Sequence, residues 1–159
     1  MTSPQTTDSS PNEHSNLELR NVPVEAVRPV RGIVLRPGQA PEQLVWDDDD
    51  HPDALHVGAY LGGELVGIGT ILPQSHPDDG EGGWRIRGMA TLPSARGSGV
   101  GGAVLDHCLA YAEGRGARYF WCNARVAALS LYERRGFTTV GDMFEPPEIG
   151  PHYRMVKAL

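Results

Sequence analysis

A chain of 159 residues with 20 acidic and 14 basic side chains carries a formal net charge of -6 and a pI near 5.4, which excludes a generic nucleic-acid or anionic-membrane surface while allowing a local basic pocket. No apolar run approaches the roughly 20 residues that span a bilayer, and the N-terminus lacks the charged and apolar regions of a signal peptide, so the expected compartment is the cytoplasm. At this length a single domain suffices to bury a core.

Residues 1–16 are rich in Ser, Thr, Pro, Asn and Gln, with scarcely an apolar side chain to offset the entropy of ordering. They are expected to form a disordered tail ahead of one domain spanning 17–159. Alternation at 17–19 predicts a short strand. Val27, Val30, Ile33, Val34 and Leu35 then recur at helical spacing. Pro23 and Pro29 complicate the start, so the firm helix is predicted from about Pro29, where a missing N–H is harmless, to a stop at Arg36-Pro37-Gly38. The acidic run at 47–50 and His51 invite a metal reading. They lack the glycine turn and closing Glu of a calcium loop, and a solvated loop with no metal is expected instead.

Residues 55–61 and 65–72 alternate on either side of Gly62-Gly63, which predicts a β-hairpin. A loop at 73–83, full of Pro, Asp, Gly and Ser, leads to a strand at 84–92. The next loop carries Arg96, Gly97, Ser98, Gly99, Gly101 and Gly102. A helix at 99–113 follows, with Val100, Val104, Cys108 and Tyr111 along one line and Leu105, Leu109 and Ala112 beside it. Beyond it come a strand at 119–122, a helix at 127–135 with Gly136 as left-handed cap, and strands at 137–140 and 152–156. Strands interrupted by a few helices fit a mixed α/β fold. Cys108 and Cys122, without a His or Cys at ligand spacing, are expected as reduced, buried thiols.

A strand, a glycine loop and a helix start form a phosphate cradle, because glycine lets the backbone approach a ligand and the helix start offers unpaired N–H groups. The loop contains Gly97-x-Gly99-x-x-Gly102, a literal dinucleotide fingerprint. That motif wants a buried parallel strand before it and an acidic residue about 20 positions later. Neither is evident, since Arg85-Ile86-Arg87-Gly88 is half polar and the next strand ends in Asn123. A P-loop fails for want of Gly-Lys-Ser/Thr. The same loop spells Arg96-x-x-Gly99-x-Gly101. With Asn123 and Ala127-Ala128-Leu129-Ser130-Leu131-Tyr132-Glu133-Arg134-Arg135-Gly136-Phe137 downstream, the chain resembles the GNAT superfamily of N-acetyltransferases over roughly residues 17–156.

The resemblance implies a central, mixed, mostly antiparallel twisted sheet flanked by helices, with central strands splayed around a bulge near Gly88 and Met89. It implies acetyl-coenzyme A as co-substrate. Its pyrophosphate would lie on the amides of Arg96, Gly97, Ser98, Gly99, Val100 and Gly101, and its pantetheine arm along Met89, Ala90, Thr91 and Asn123. For Asn123, a turn or cap role before the next helix is the alternative. Tyr132 takes the general-acid position, with an amphipathic core tyrosine as the alternative. Glu145 and His152 become candidate bases, because Phe144-Glu145 and Ile149-Gly150-Pro151-His152 resemble the C-terminal pattern of a bacterial subgroup of poorly assigned acyltransferases. Arg31, Arg36, Arg85 and Arg87 either line an acceptor pocket suited to a carboxylate- or phosphate-bearing amine or serve surface solubility, and Trp84 is a candidate acceptor platform. The expected reaction is acetyl transfer to a primary amine, most simply of a small molecule, by direct attack in a ternary complex without a metal. A non-catalytic acetyl-coenzyme A sensor is the alternative, and monomer and homodimer stay open.

Overall fold

In the computed structural model, which describes residues 16–147 and 149–159, seven strands form one sheet in the order β1-β2-β3-β4-β5-β7-β6. The expected tail, Asn16 apart, lies outside the described residues. The strands are β1 (Leu17–Val22), β2 (Leu55–Leu61), β3 (Glu64–Pro73), β4 (Gly83–Thr91), β5 (Tyr119–Arg125), β6 (Thr138–Phe144) and β7 (His152–Ala158). Every neighbouring pair is antiparallel except β4 and β5, which run parallel. The mixed, mostly antiparallel sheet expected from the sequence is the one observed. Gly62 and Gly63 close the β2–β3 hairpin at φ 58° and 86°, values that a side chain would strain.

Helix α2 (Val100–Glu113) covers one face of the sheet, as its apolar line requires. Val104, Leu105, Cys108 and Ala112 are fully buried there against Ile71, Ile86, Phe120 and Met155. Burying a Val or Leu side chain contributes about 1.5–3 kcal/mol, so this interface dominates the fold. Its depth is set by two glycines in β3. A Cβ on Gly67 would stand 2.5 Å from Val100 Cγ1, and one on Gly69 would stand 2.5 Å from Met89 Sδ and 2.7 Å from Val104 Cγ1. The helix rests where β3 has no side chains.

The opposite face is covered by α1 (Val24–Val30), whose Val27 and Val30 pack on Ile68 and Ala90. This corrects the expected helix start at Pro29. Pro23 is extended at the N-cap, and Pro29 lies inside the helix on its exposed side, where it forfeits one N–H while buried Val27 and Val30 hold the turn. The chain then widens into a π-helical turn, Arg31–Leu35, closed by Arg36 N–H to Arg31 O at 2.9 Å. A short helix α3 (Leu129–Glu133) follows β5, and Gly136 ends that segment at φ 91°, the left-handed cap expected of it.

Candidate active site

β4 and β5 pair only at Gly83, Trp84 and Arg85 against Tyr119, Phe120 and Trp121. Beyond that point β4 stays on β3, and β5 stays on β7. From Ile86 to Thr91 the edge of β4 that faces β5 therefore has no strand partner. A bulge accompanies the divergence: the β3–β4 register slips between Ile68 and Thr70, and Gly88 sits at φ 67° opposite the slip. A Cβ on Gly88 would lie 3.1 Å from the Trp46 ring, so glycine satisfies both the conformation and the space. The result is a cleft of about 1220 Å³ running from the start of α2 to the end of β5.

At one end lies the glycine loop. Gly97 and Gly99 have φ of 81° and 84°, and nothing approaches within 4 Å of a Cβ placed on Gly97. No side chain caps α2, and its first turn holds no acid. The first cap bond is Ala103 N–H to Gly99 O at 3.1 Å, which leaves the N–H groups of Val100, Gly101 and Gly102 without partners inside the helix. The Ser98 hydroxyl donates to Ala95 O, and the Arg96 Nε donates to Thr91 O at 3.2 Å. Arg135 presses its guanidinium against Gly102 and is held there by Asp106 at 2.7 Å. Open glycines, uncapped donors and a positive helix end fit a diphosphate.

Midway along the cleft, α3 presents Tyr132, which is buried with its ring edge-on to Phe137 at 5.5 Å. Burial first, then the neighbouring Cys122 and Cys108, hold its hydroxyl well above the usual phenol range. Cys108 and Cys122 are buried free thiols, pushed up to about 12 by burial, as two inert thiols should be. Asn123 stands exposed in the middle of β5, which runs on to Arg125, so it is not the turn or cap residue of the alternative reading. His152 pairs across the ladder with Arg125 and lines the cleft. Its Nδ1 lies 2.8 Å from Gly150 O, an atom that only accepts, so Nδ1 carries a hydrogen and Nε2 is the ring nitrogen left to act as an acceptor. Glu145 is exposed just past β6, outside the cleft wall.

The other end of the cleft departs from expectation. Arg31 is 0% exposed and is bound by Asp49 at 2.7 and 3.2 Å, by Leu44 O at 3.0 Å and by Thr70 Oγ1 at 3.2 Å. It supports the wall from behind and cannot touch an acceptor. Asp49 is likewise no solvated loop residue. Buried beneath its exposed neighbours Asp48 and Asp50, it also binds Arg87 at 2.9 Å. Burial pushes its carboxyl up, but hydrogen bonds from Arg31 and the Trp46 N–H and the adjacent positive charges win, and its pKa ends below the usual range. Arg31 is itself lowered, by burial foremost, yet an arginine stays charged at neutral pH.

Trp84 is core, edge-on to Tyr111 at 6.0 Å on the α2 side, and is no acceptor platform. Trp46 lies on the cleft wall, its ring against Arg31 at 3.8 Å, Arg36 at 5.5 Å and Arg87 at 5.8 Å. Its only sequence cue is a large aromatic ring bordering the acidic run. Among the described residues, no group of His, Cys, Asp and Glu is arranged to hold a metal ion, and no helix is long and apolar enough to cross a membrane.

A sheet opened between two parallel strands, with an uncapped helix start at the mouth, is the arrangement that the resemblance to N-acetyltransferases implies. Residues 27–137 match the model of the acetyltransferase (GNAT) family. An uncharacterized N-acetyltransferase from Bacillus subtilis, YitI, is 34% identical over 144 residues, covering 90% of this chain and 97% of that protein. Among solved structures, Escherichia coli ElaA has a TM-score of 0.72 at 22% identity, covering 89% of this chain and 99% of ElaA. A chain of the NatC complex bound to Gag peptide and CoA has a TM-score of 0.74 at 15% identity, covering 91% and 99%. The chain belongs to the GNAT family and is an acetyltransferase.

Proposed function

We propose that the protein transfers an acetyl group from acetyl-coenzyme A to a primary amine by direct attack within a ternary complex. One observation carries this reading: the unpaired edge of β4, the bare start of α2 and residue Tyr132 border a single cleft. In this scheme the amides from Gly97 to Gly101 hold the diphosphate, and main-chain groups of Met89, Ala90 and Thr91 take the pantetheine arm as an added strand. Asn123 steadies the arm from the β5 side.

Tyr132 gives its proton to the departing sulfur as the C–S bond breaks and the C–N bond forms. Its raised pKa suits that role, because a thiolate leaving into the same dry surroundings has its own proton affinity raised, as the buried cysteines illustrate. His152 Nε2, directly or through water, accepts the ammonium proton, and solvent restores both groups. Glu145 is left as an alternative base that has to reach the cleft from outside its wall.

Initial-rate kinetics of thiol release across an amine panel test the scheme. Intersecting double-reciprocal lines with acceptor-dependent release are expected. Parallel lines would replace direct attack with an acyl-enzyme, and binding of acetyl-coenzyme A without release for any amine would leave a sensor.

A further inference from the structure

Four arginines line the cleft at its end away from α2: Arg36 after the π-helical turn, Arg85 and Arg87 on β4, and Arg125 at the end of β5. Arg96 and Arg134 on the same wall lack a carboxylate partner among the described residues, whereas Arg87 (with buried Arg31), Arg135 and Arg154 have one, in Asp49, Asp106 and Asp79. Arg85 does not. Among the described residues it makes no ion pair or hydrogen bond, its buried Nε lacks a partner, and its Cζ stands 4.8 Å over the Trp121 ring.

Arg36 and Arg125 are scarcely better served. Both donate to one atom, Leu35 O, at 2.9 and 3.1 Å, and neither has a carboxylate partner among the described residues. Burial, then Arg87, lowers the Arg85 pKa, and burial, then Arg125, lowers that of Arg36, so the cations crowd one another. Asp106, the one described acid on the cleft wall, lies at the opposite end and is held by Arg135. In a chain of net charge -6, unmatched cations gathered in a cleft mark a place for an anion.

We propose that this group is the receptor for a carboxylate carried by the acceptor, so that the substrate class is a small amino acid-like amine rather than a neutral or polycationic one. The inference rests on the acetyl-transfer reading. Arg85 lies at the closed base of the splay, where it still pairs with Trp121, on the sheet face opposite α2 and remote from the glycine loop. A planar guanidinium seated on an indole offers its outer edge as a fork, the complement of a planar carboxylate. Arg36 and Arg125 add charge without having to touch it.

The test is thiol release with matched acceptors: ω-amino acids, their amides, plain alkylamines of equal length and aminoalkyl phosphates. Carboxylates should lead in kcat/KM by about 10- to 100-fold, the worth of a charge-assisted hydrogen bond. Arg85→Gln should erase that lead through acceptor KM while leaving the KM for acetyl-coenzyme A in place, and Arg85→Lys should restore only part of it. Equal use of amides, a preference for phosphates, or a lead that survives Arg85→Gln overturns the proposal. If the variants do not fold, the wild-type panel decides. Calorimetry with an N-acetylated ω-amino acid against its amide asks the same question without turnover, equal affinities counting against the receptor. Failure to bind acetyl-coenzyme A sinks the acetyl-transfer reading, whereas binding with transfer only to neutral amines sinks the carboxylate receptor alone.

Discussion

The two ends of the cleft are built on different plans. The end at α2 is made of backbone from one short stretch, with Gly97 and Gly99 in left-handed conformations and a helix start that no side chain caps. The end at Arg85 is made of side chains from the π-helical turn, β4 and β5, steadied by Trp46 and Asp49 from a loop. Main-chain recognition fixes what all members of a family must hold. Side-chain recognition assembled from distant segments can be rebuilt one residue at a time, and under the proposal above that is where selectivity between acceptors resides.

The comparison can be broken most severely midway between the two ends. Tyr132→Phe removes one oxygen and should lower kcat by about 10²- to 10⁴-fold at saturating acetyl-coenzyme A, the range of a general acid, with little change in Tm. An unchanged rate across pH would reduce Tyr132 to packing. Asp49→Ala comes next, and it acts on stability. It strands the fully buried Arg31 and frees Arg87, for an expected loss of about 3–5 kcal/mol in denaturant unfolding, the cost of breaking a buried pair from one side. A loss under about 1 kcal/mol would mean that water reaches Arg31.

His152→Ala should cut kcat/KM by about tenfold or more and alter the low-pH limb of its profile; an identical profile would send the search for the base to Glu145 or to water. Gly97→Ala is a milder probe of the backbone end. The site is open, so the cost is the left-handed conformation alone, about 1–2 kcal/mol, read as a rise of up to about 5- to 30-fold in the KM for acetyl-coenzyme A with acceptor KM unmoved.

The smallest effect concerns pH. His56 donates from Nε2 to Asp49 O, an atom that only accepts, and its Nδ1 lies 2.8 Å from Thr70 Oγ1. Burial foremost, with Arg31 and Arg87 also unfavourable, holds its pKa below the usual value. A depressed pKa means that the unfolded chain takes up the proton first. Stability from His56 is therefore complete above about pH 6.5 and lost as pH falls toward the folded value. Tm should drop between pH 7.5 and 5, and less steeply in His56→Gln, which keeps both hydrogen bonds. Equal slopes would exclude His56.

The hairpin at Gly62-Gly63, the line of Val100, Val104 and Cys108, and the left-handed stop at Gly136 are readable in the sequence because each is a local pattern with one structural solution. Other features depend on what a residue meets. Nothing within the acidic run marks Asp49 as the carboxylate that turns inward, since its partners Arg31 and Arg87 lie 18 and 38 positions away. Trp84 reads as an aromatic platform until the alternation of β4 sends it to the α2 side. Gly67 and Gly69 read as ordinary strand glycines and prove to be the seat of a helix. The glycine loop is legible because close approach to the backbone requires glycine itself, and the arginine-lined wall is legible only in part because a buried arginine and an exposed one are spelled the same way.

The short β4–β5 ladder has a further consequence. A sheet interrupted in its middle leaves amides and carbonyls wetted wherever no guest lies between the strands, so in the proposed scheme each turnover has to dry this slot and then flood it again. In that scheme the guest is a temporary piece of the architecture, and its departure restores the open slot of the resting protein.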